Sequence, residues 1–159
     1  MEVTTAKPIL DPCCGGRMFW FNKNNPHVLY GDHREYSGQL CDGRAFEVKP
    51  DMLLDFTNLP FEDETFWHVV FDPPHILNAG AKSWTAKKYG CLPKDWKPYL
   101  KSGFDECWRV LKTNGTLVFK WGERQITPGE IIKAIGREPL YGQKVRKSGN
   151  THWMCFVKI

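Results

Sequence analysis

Four short apolar runs in this chain each close on an aspartate: "PILD" at residues 8–11, "VLYGD" at 28–32, "MLLD" at 52–55 and "VVFD" at 69–72. Runs this short, rich in Val, Ile, Leu and Phe and without polar alternation, read as strands buried on both faces. Long connections or helix-patterned segments separate them, which is the arrangement of an α/β sheet with mostly parallel strands. In such a sheet, ligands bind beyond the carboxyl ends of the strands. Asp11, Asp32, Asp55 and Asp72 are therefore expected to converge on one edge. A single aspartate at a strand end is an ordinary turn former. Four of them make that edge the place to look for function.

The chain of 159 residues has the size of one domain, 1–159, with enough length for a core that needs no staples. No apolar run approaches the length of a membrane span, and "MEVTTAKPIL" lacks a signal-peptide pattern. The six cysteines show no paired CxxC spacing, and Cys107 and Cys155 sit in apolar contexts suited to buried thiols. A metal site from Cys13, Cys14, His27, His33 and Cys41 has no recognised ligand spacing, so no metal is expected. Reduced thiols point to the cytoplasm.

Between the strands, "RMFWFNKNNP" is expected to form a short helix stopped by Pro26, and "HREYSGQLCDGRAFEVKP" a connection with little regular structure. The stretch "AKSWTAKKYGCLPKDWKPYLKS" reads as irregular. Leu100, Phe104, Cys107, Trp108 and Leu111 recur at helical spacing, and "TNG" ends that helix with Gly115 at the left-handed position. "TLVFKW" is a fifth strand. Thr127 caps a helix with Pro128 at its first position and Gly136 at its end. "EPLYGQKV" and "THWMCFVKI" form a terminal strand pair around the basic turn "RKSGN".

These segments carry a resemblance. "DPCCGGRMFW" resembles the glycine loop of amino-methyltransferases that use S-adenosylmethionine. "LDFTNLPFEDETFWHVVFD" and "FDECWRVLKTNGTLVF" are similar to two later segments of class I methyltransferases. "DPPH" resembles the DPPY-like motif of enzymes that methylate exocyclic amines of bases. The resemblance covers residues 8 to about 120, and the size and pattern also resemble phage-encoded DNA methyltransferases.

It implies a Rossmann-like fold with a seven-stranded, mostly parallel sheet and a C-terminal antiparallel strand pair. By the resemblance, Asp11, Pro12, Cys13, Cys14, Gly15 and Gly16 form the cofactor loop. Asp32 binds the ribose hydroxyls, and Asp55 and Phe56 flank the adenine. Where the family carries a further glycine this chain has Arg17, a candidate partner for the carboxylate of the cofactor. The Asp72 side chain and the Pro73 carbonyl would accept the two N–H hydrogens of the target amine and so aim its lone pair at the methyl group. Pro73 and Pro74 stiffen the loop because each fixes φ and has no N–H. His75 stands where an aromatic ring stacks on the flipped base.

Residues 76–101 would form a substrate-facing loop or lid. Lys82, Lys87, Lys88, Lys94, Lys97 and Lys101 face a single acid, Asp95, between residues 82 and 101, with Trp84, Tyr89, Trp96 and Tyr99 interleaved. Lysines track phosphates and aromatic faces stack on bases, so Lys82, Trp84, Lys87, Lys88, Tyr89, Lys94 and Trp96 are the candidate nucleic-acid contacts. The same residues would also suit a solvated loop with its aromatics in the core. Lys144, Arg146 and Lys147 offer a second phosphate contact. The expected reaction is methylation of adenine N6, then cytosine N4, on DNA before RNA. A small-molecule methyltransferase and a binding module without turnover are the alternatives.

Overall fold

The computed structural model describes residues 6–40, 42–79, 83–142 and 151–159. Strands β1 (Ile9–Asp11) and β2 (Val28–Asp32) are followed by a hairpin, β3 (Tyr36–Gln39) and β4 (Ala45–Val48). Then come β5 (Met52–Leu53), β6 (Phe66–Phe71), α1 (Trp84–Tyr89), α2 (Trp96–Val110), β7 (Leu111–Gly122), α3 (Pro128–Ile135), β8 (Tyr141–Gly142) and β9 (Thr151–Val157). The main sheet has seven strands in the order β5-β2-β1-β6-β7-β9-β8. β5, β2, β1, β6 and β7 pair in parallel, while β9 is antiparallel to both β7 and β8. This is an α/β protein whose sheet is compatible with a Rossmann-like fold.

Alternation along the strands sorts the residues onto two faces. Leu10, Val69, Phe71, Leu117, Phe119, Met154 and Phe156 share a core with Leu100, Phe104, Cys107 and Val110 of α2 and Ile131 and Ile135 of α3. Rings carry much of that contact, with Phe104 set 5.0 Å edge-on to Phe156 and 6.2 Å from Phe119. The opposite face holds Ile9, Val28 and Tyr30, against which Cys14 and Trp20 pack.

Three expectations are corrected. Residues 17–26 form a looped segment of turns instead of a helix, because Arg17 takes a left-handed backbone (φ 54) and its side chain ties the segment down. The connection 33–50 contains the β3–β4 hairpin, whose buried positions Phe46 and Val48 follow the strand period within "AFEV". In the stretch read as irregular, Ser83 caps α1, and α2 begins at Trp96, earlier than the apolar stripe suggested.

The helix stop is also placed differently: α2 ends at Val110, and Leu111 and the "TNG" segment already belong to β7. Asn114, not Gly115, takes the left-handed conformation (φ 66). Gly115 answers to space instead, since a Cβ there would lie 2.8 Å from the carbonyl oxygens of Lys112 and Trp67. The cap of α3 is as expected: Thr127 and Glu130 form a reciprocal capping box and Gly136 ends the helix at φ 71. The terminal pair forms through β8 and β9, while the basic turn with Lys144, Arg146 and Lys147 lies outside the described residues.

Candidate functional site

Parallel register delivers the aspartates to one edge. Asp11 ends β1 and Asp32 ends β2, and Asp72 follows β6 one residue after Phe71, which pairs with Phe119 of β7. Beyond that edge lies a cavity of about 170 Å³. It is lined by Cys13, Cys14, Gly15 and Gly16 from the glycine loop, by Asp32 and Phe56, and by Asp72 and Pro74. Lys88 and Tyr89 of α1 cover it.

The glycine loop is built for close approach. Cys14 N donates to Gly31 O (2.8 Å) and Gly15 N donates to Asp32 Oδ2 (2.9 Å), which fastens the loop to β2. Gly15 takes φ 48, and a Cβ on Gly16 would lie 2.7 Å from the Phe46 ring. Asp32 Oδ1 accepts from Arg34 N (3.2 Å) and lies 3.3 Å from His33 Nδ1. Asp32 Oδ2, with one hydrogen bond, keeps a lone pair for a ligand. Burial pushes the Cys14 thiol up to about 12 and holds the Cys13 thiol well above its ordinary value, so both stay protonated.

Several anticipated residues stand behind the cavity. Asp11 is fully buried, its carboxylate accepting from Trp20 Nε1 (2.8 Å) and Cys13 N (3.3 Å). Pro12, Pro73 and His75 are buried, and none of the three lines the cavity. His75 packs against Tyr89 and Trp121 and faces Gly122, with Nδ1 lacking a hydrogen-bond partner. Burial, helped by Lys120 and Arg124, pulls its pKa down to about 4, so the ring is neutral near pH 7. In this conformation the ring turns toward the sheet and offers no face to the cavity.

Asp55 is exposed and accepts from the backbone and hydroxyl of Thr57, so only Phe56 of that pair reaches the cavity. Of the candidate nucleic-acid contacts, Lys88 and Tyr89 line the cavity while Lys87 and Lys94 are exposed away from its lining. Trp96 and Tyr99 are partly buried against the core, the arrangement expected of a loop with its aromatics in the core. Trp84 opens α1, and Lys82 and Cys41 lie outside the described residues.

Arg17 points away from the cavity, which corrects its pairing with a cofactor carboxylate. Its guanidinium donates to Lys23 O, Lys49 O and Asp51 and lies 3.8 Å over the Tyr30 ring. The backbone there still takes the left-handed form that a glycine would supply.

Sequence reading missed Met18, Phe19, His33, Arg34 and Lys120, all of which line the cavity. Lys120 matters most, because its Nζ lies 2.8 Å from Asp72 Oδ2, with the Phe19 and Trp153 rings beside it. Burial pushes the Asp72 carboxyl up and Lys120 pulls it back. The available signal was a lone lysine in the otherwise apolar "TLVFKW".

Arg34 Nη2 donates to Lys88 O (3.0 Å), holding α1 over the glycine loop. Small-molecule pockets usually measure about 300–1,000 Å³, so the cavity is small for a nucleoside cofactor. The lining chemistry, with glycine backbone, the Asp32 carboxylate and the Phe56 ring, fits such a ligand.

No family model matches the chain, and no curated protein matches it. Among solved structures, the chain is similar to the PH0226 protein from Pyrococcus horikoshii OT3, at 14% identity and a TM-score of 0.60 over 95% of this chain and 81% of that one. At that identity the likeness speaks for the fold alone. The mostly parallel seven-stranded sheet and this neighbour are together compatible with a Rossmann-like fold.

Proposed function

We propose that the chain is an S-adenosylmethionine-dependent methyltransferase acting on an exocyclic amino group of a nucleic-acid base, adenine N6 ahead of cytosine N4 and DNA ahead of RNA. The observation that carries this reading is the meeting of the glycine loop, Asp32, Phe56 and Asp72 at one cavity. Gly15 and Gly16 would bring bare backbone to the cofactor, Asp32 would accept from its ribose hydroxyls, and Phe56 would lie against its adenine. The cofactor supplies an electrophilic methyl group on a sulfonium, so the protein has to orient the amine and exclude water.

Orientation falls to Asp72. Lys120 occupies Oδ2 and leaves Oδ1 to accept an N–H of the target amine. That hydrogen bond turns the nitrogen lone pair out of conjugation and toward the methyl group. Once methylated, the nitrogen must shed a proton, and Asp72 is the acceptor this site offers. Burial raises the Asp72 carboxyl above its ordinary value and the neighbouring Lys120 ammonium opposes that rise, which suits a group that must take up a proton.

The test is transfer from isotope-labelled S-adenosylmethionine to duplex DNA, single-stranded DNA and RNA, read by nucleoside mass spectrometry. Label should appear in N6-methyladenine or N4-methylcytosine, and Asp72→Ala should lower it by about 100-fold or more. No label in any nucleic acid would overturn the reading. The roof made by Lys88 and Tyr89 favours a second one, a small-molecule methyltransferase, since a small substrate needs no wide mouth.

A further inference from the structure

The loop between β1 and β2 is braced from within, yet it keeps apolar side chains in water. Arg17 bonds Lys23 O at 2.6 Å and Lys49 O at 2.8 Å, Tyr30 donates to Asn22 O at 3.1 Å, and Phe19 sits 5.5 Å edge-on to Trp153. With the loop so tied, Phe21 is fully exposed and Met18 is 53% exposed. One exposed apolar residue is ordinary. Here two share a braced loop that is also the lip of the candidate cavity, for Met18 and Phe19 line it.

The ground beside the lip is mixed in charge with a basic excess. A groove on its outer side is lined by Arg17, Lys23 and Lys49 together with Glu47 and Asp51. Asp51 is already paired with Lys7 and Arg17, which leaves Lys23 and Lys49 against Glu47. Such a surface suits a phosphate backbone.

We propose that Met18 and Phe21 form a wedge that enters the base stack of a double-stranded nucleic acid and fills the space of the base turned into the cavity. The inference rests on the reading that the cavity receives a base. A base leaving a duplex opens a gap in the stack, and apolar side chains inserted between base steps stabilise the distorted duplex. The wedge must stand next to the receiving cavity and must not collapse onto the protein. The Arg17 and Tyr30 ties meet the second requirement, and the position of Met18 meets the first.

The test is binding, read by fluorescence anisotropy, to a labelled mixed-sequence duplex with one central abasic site, to the intact duplex and to the single strand. Phe21→Ala should weaken binding to the abasic duplex about tenfold and leave the single strand unchanged. Met18→Ala with Phe21→Ala should weaken it further, and Phe21→Trp should restore it. Equal loss on the single strand would overturn the wedge in favour of a general stacking surface. No loss on any probe, or no binding by the wild-type chain, would overturn it outright. Cofactor affinity, measured by calorimetry on the same variants, keeps the two readings apart. Loss of duplex preference without cofactor binding would sustain the wedge and remove the methyltransferase, and unchanged duplex binding with intact methyl transfer would do the reverse.

Discussion

β6, β7 and β9 run six, twelve and seven residues, whereas β1, β2 and β5 run three, five and two. The longer half is packed by rings and aliphatic side chains from α2 and α3. The shorter half is tied by aspartate side chains: Asp11 to Trp20, Asp32 to Gly15, Asp51 to Lys7 and Arg17. Close apolar packing leaves few polar atoms to orient a ligand, while polar ties leave lone pairs and loop backbone facing outward. Stability is concentrated in one half and ligand-facing chemistry in the other, and Asp72 with Lys120 marks the seam.

If that division holds, the largest loss of stability comes from the long half. Phe104→Ala removes a fully buried ring between Phe119 and Phe156 and should cost about 3–5 kcal/mol, read from chemical denaturation. A loss under about 1 kcal/mol would show that the core there collapses without penalty and would break the comparison.

The short half should answer to pH instead. Burial raises the Asp11 carboxyl from 3.8 to about 8, with Asp72 and Asp32 adding to the shift and the Trp20 and Cys13 N–H groups opposing it. Between those values the folded state holds a proton that the unfolded state has lost, so stability falls as pH rises and levels off above about pH 8. The slope is up to about 1.4 kcal/mol per pH unit from this group. Asp11→Asn should remove that decline, as the difference between its denaturation midpoints and those of the wild type across the range. Parallel curves would show that Asp11 is not held neutral.

The smallest effect is expected at α3. Thr127→Ala deletes one side of the capping box and should cost about 1 kcal/mol, leaving ligand binding untouched because α3 does not line the cavity. A change in cofactor affinity in that variant would show that the halves communicate.

Much of this frame was legible in the order of residues. The unbroken apolar runs set the strands, the acids marked their carboxyl ends, and Thr127, Pro128 and Gly136 set α3. Local chemistry suffices for these, since caps and buried strands depend on a few adjacent residues. The β3–β4 hairpin was missed because only "AFEV" keeps a strand period inside a polar stretch. The sequence left Trp96 open between a stacking face and the core, because an aromatic residue among lysines has the same composition whether it faces water or the core.

By itself, then, the sequence determined a parallel sheet with acids along its carboxyl edge and a glycine loop after its first strand. Only the tertiary structure decided which of those acids share a cavity. It buried Asp11, turned Asp55 to Thr57, and set Lys120 beside Asp72 from 48 residues away. It also held Phe21 in water by fixing the residues on either side of it. Such pairings follow from strand register and from which way a constrained loop must face, and neither is written in any short stretch of chain.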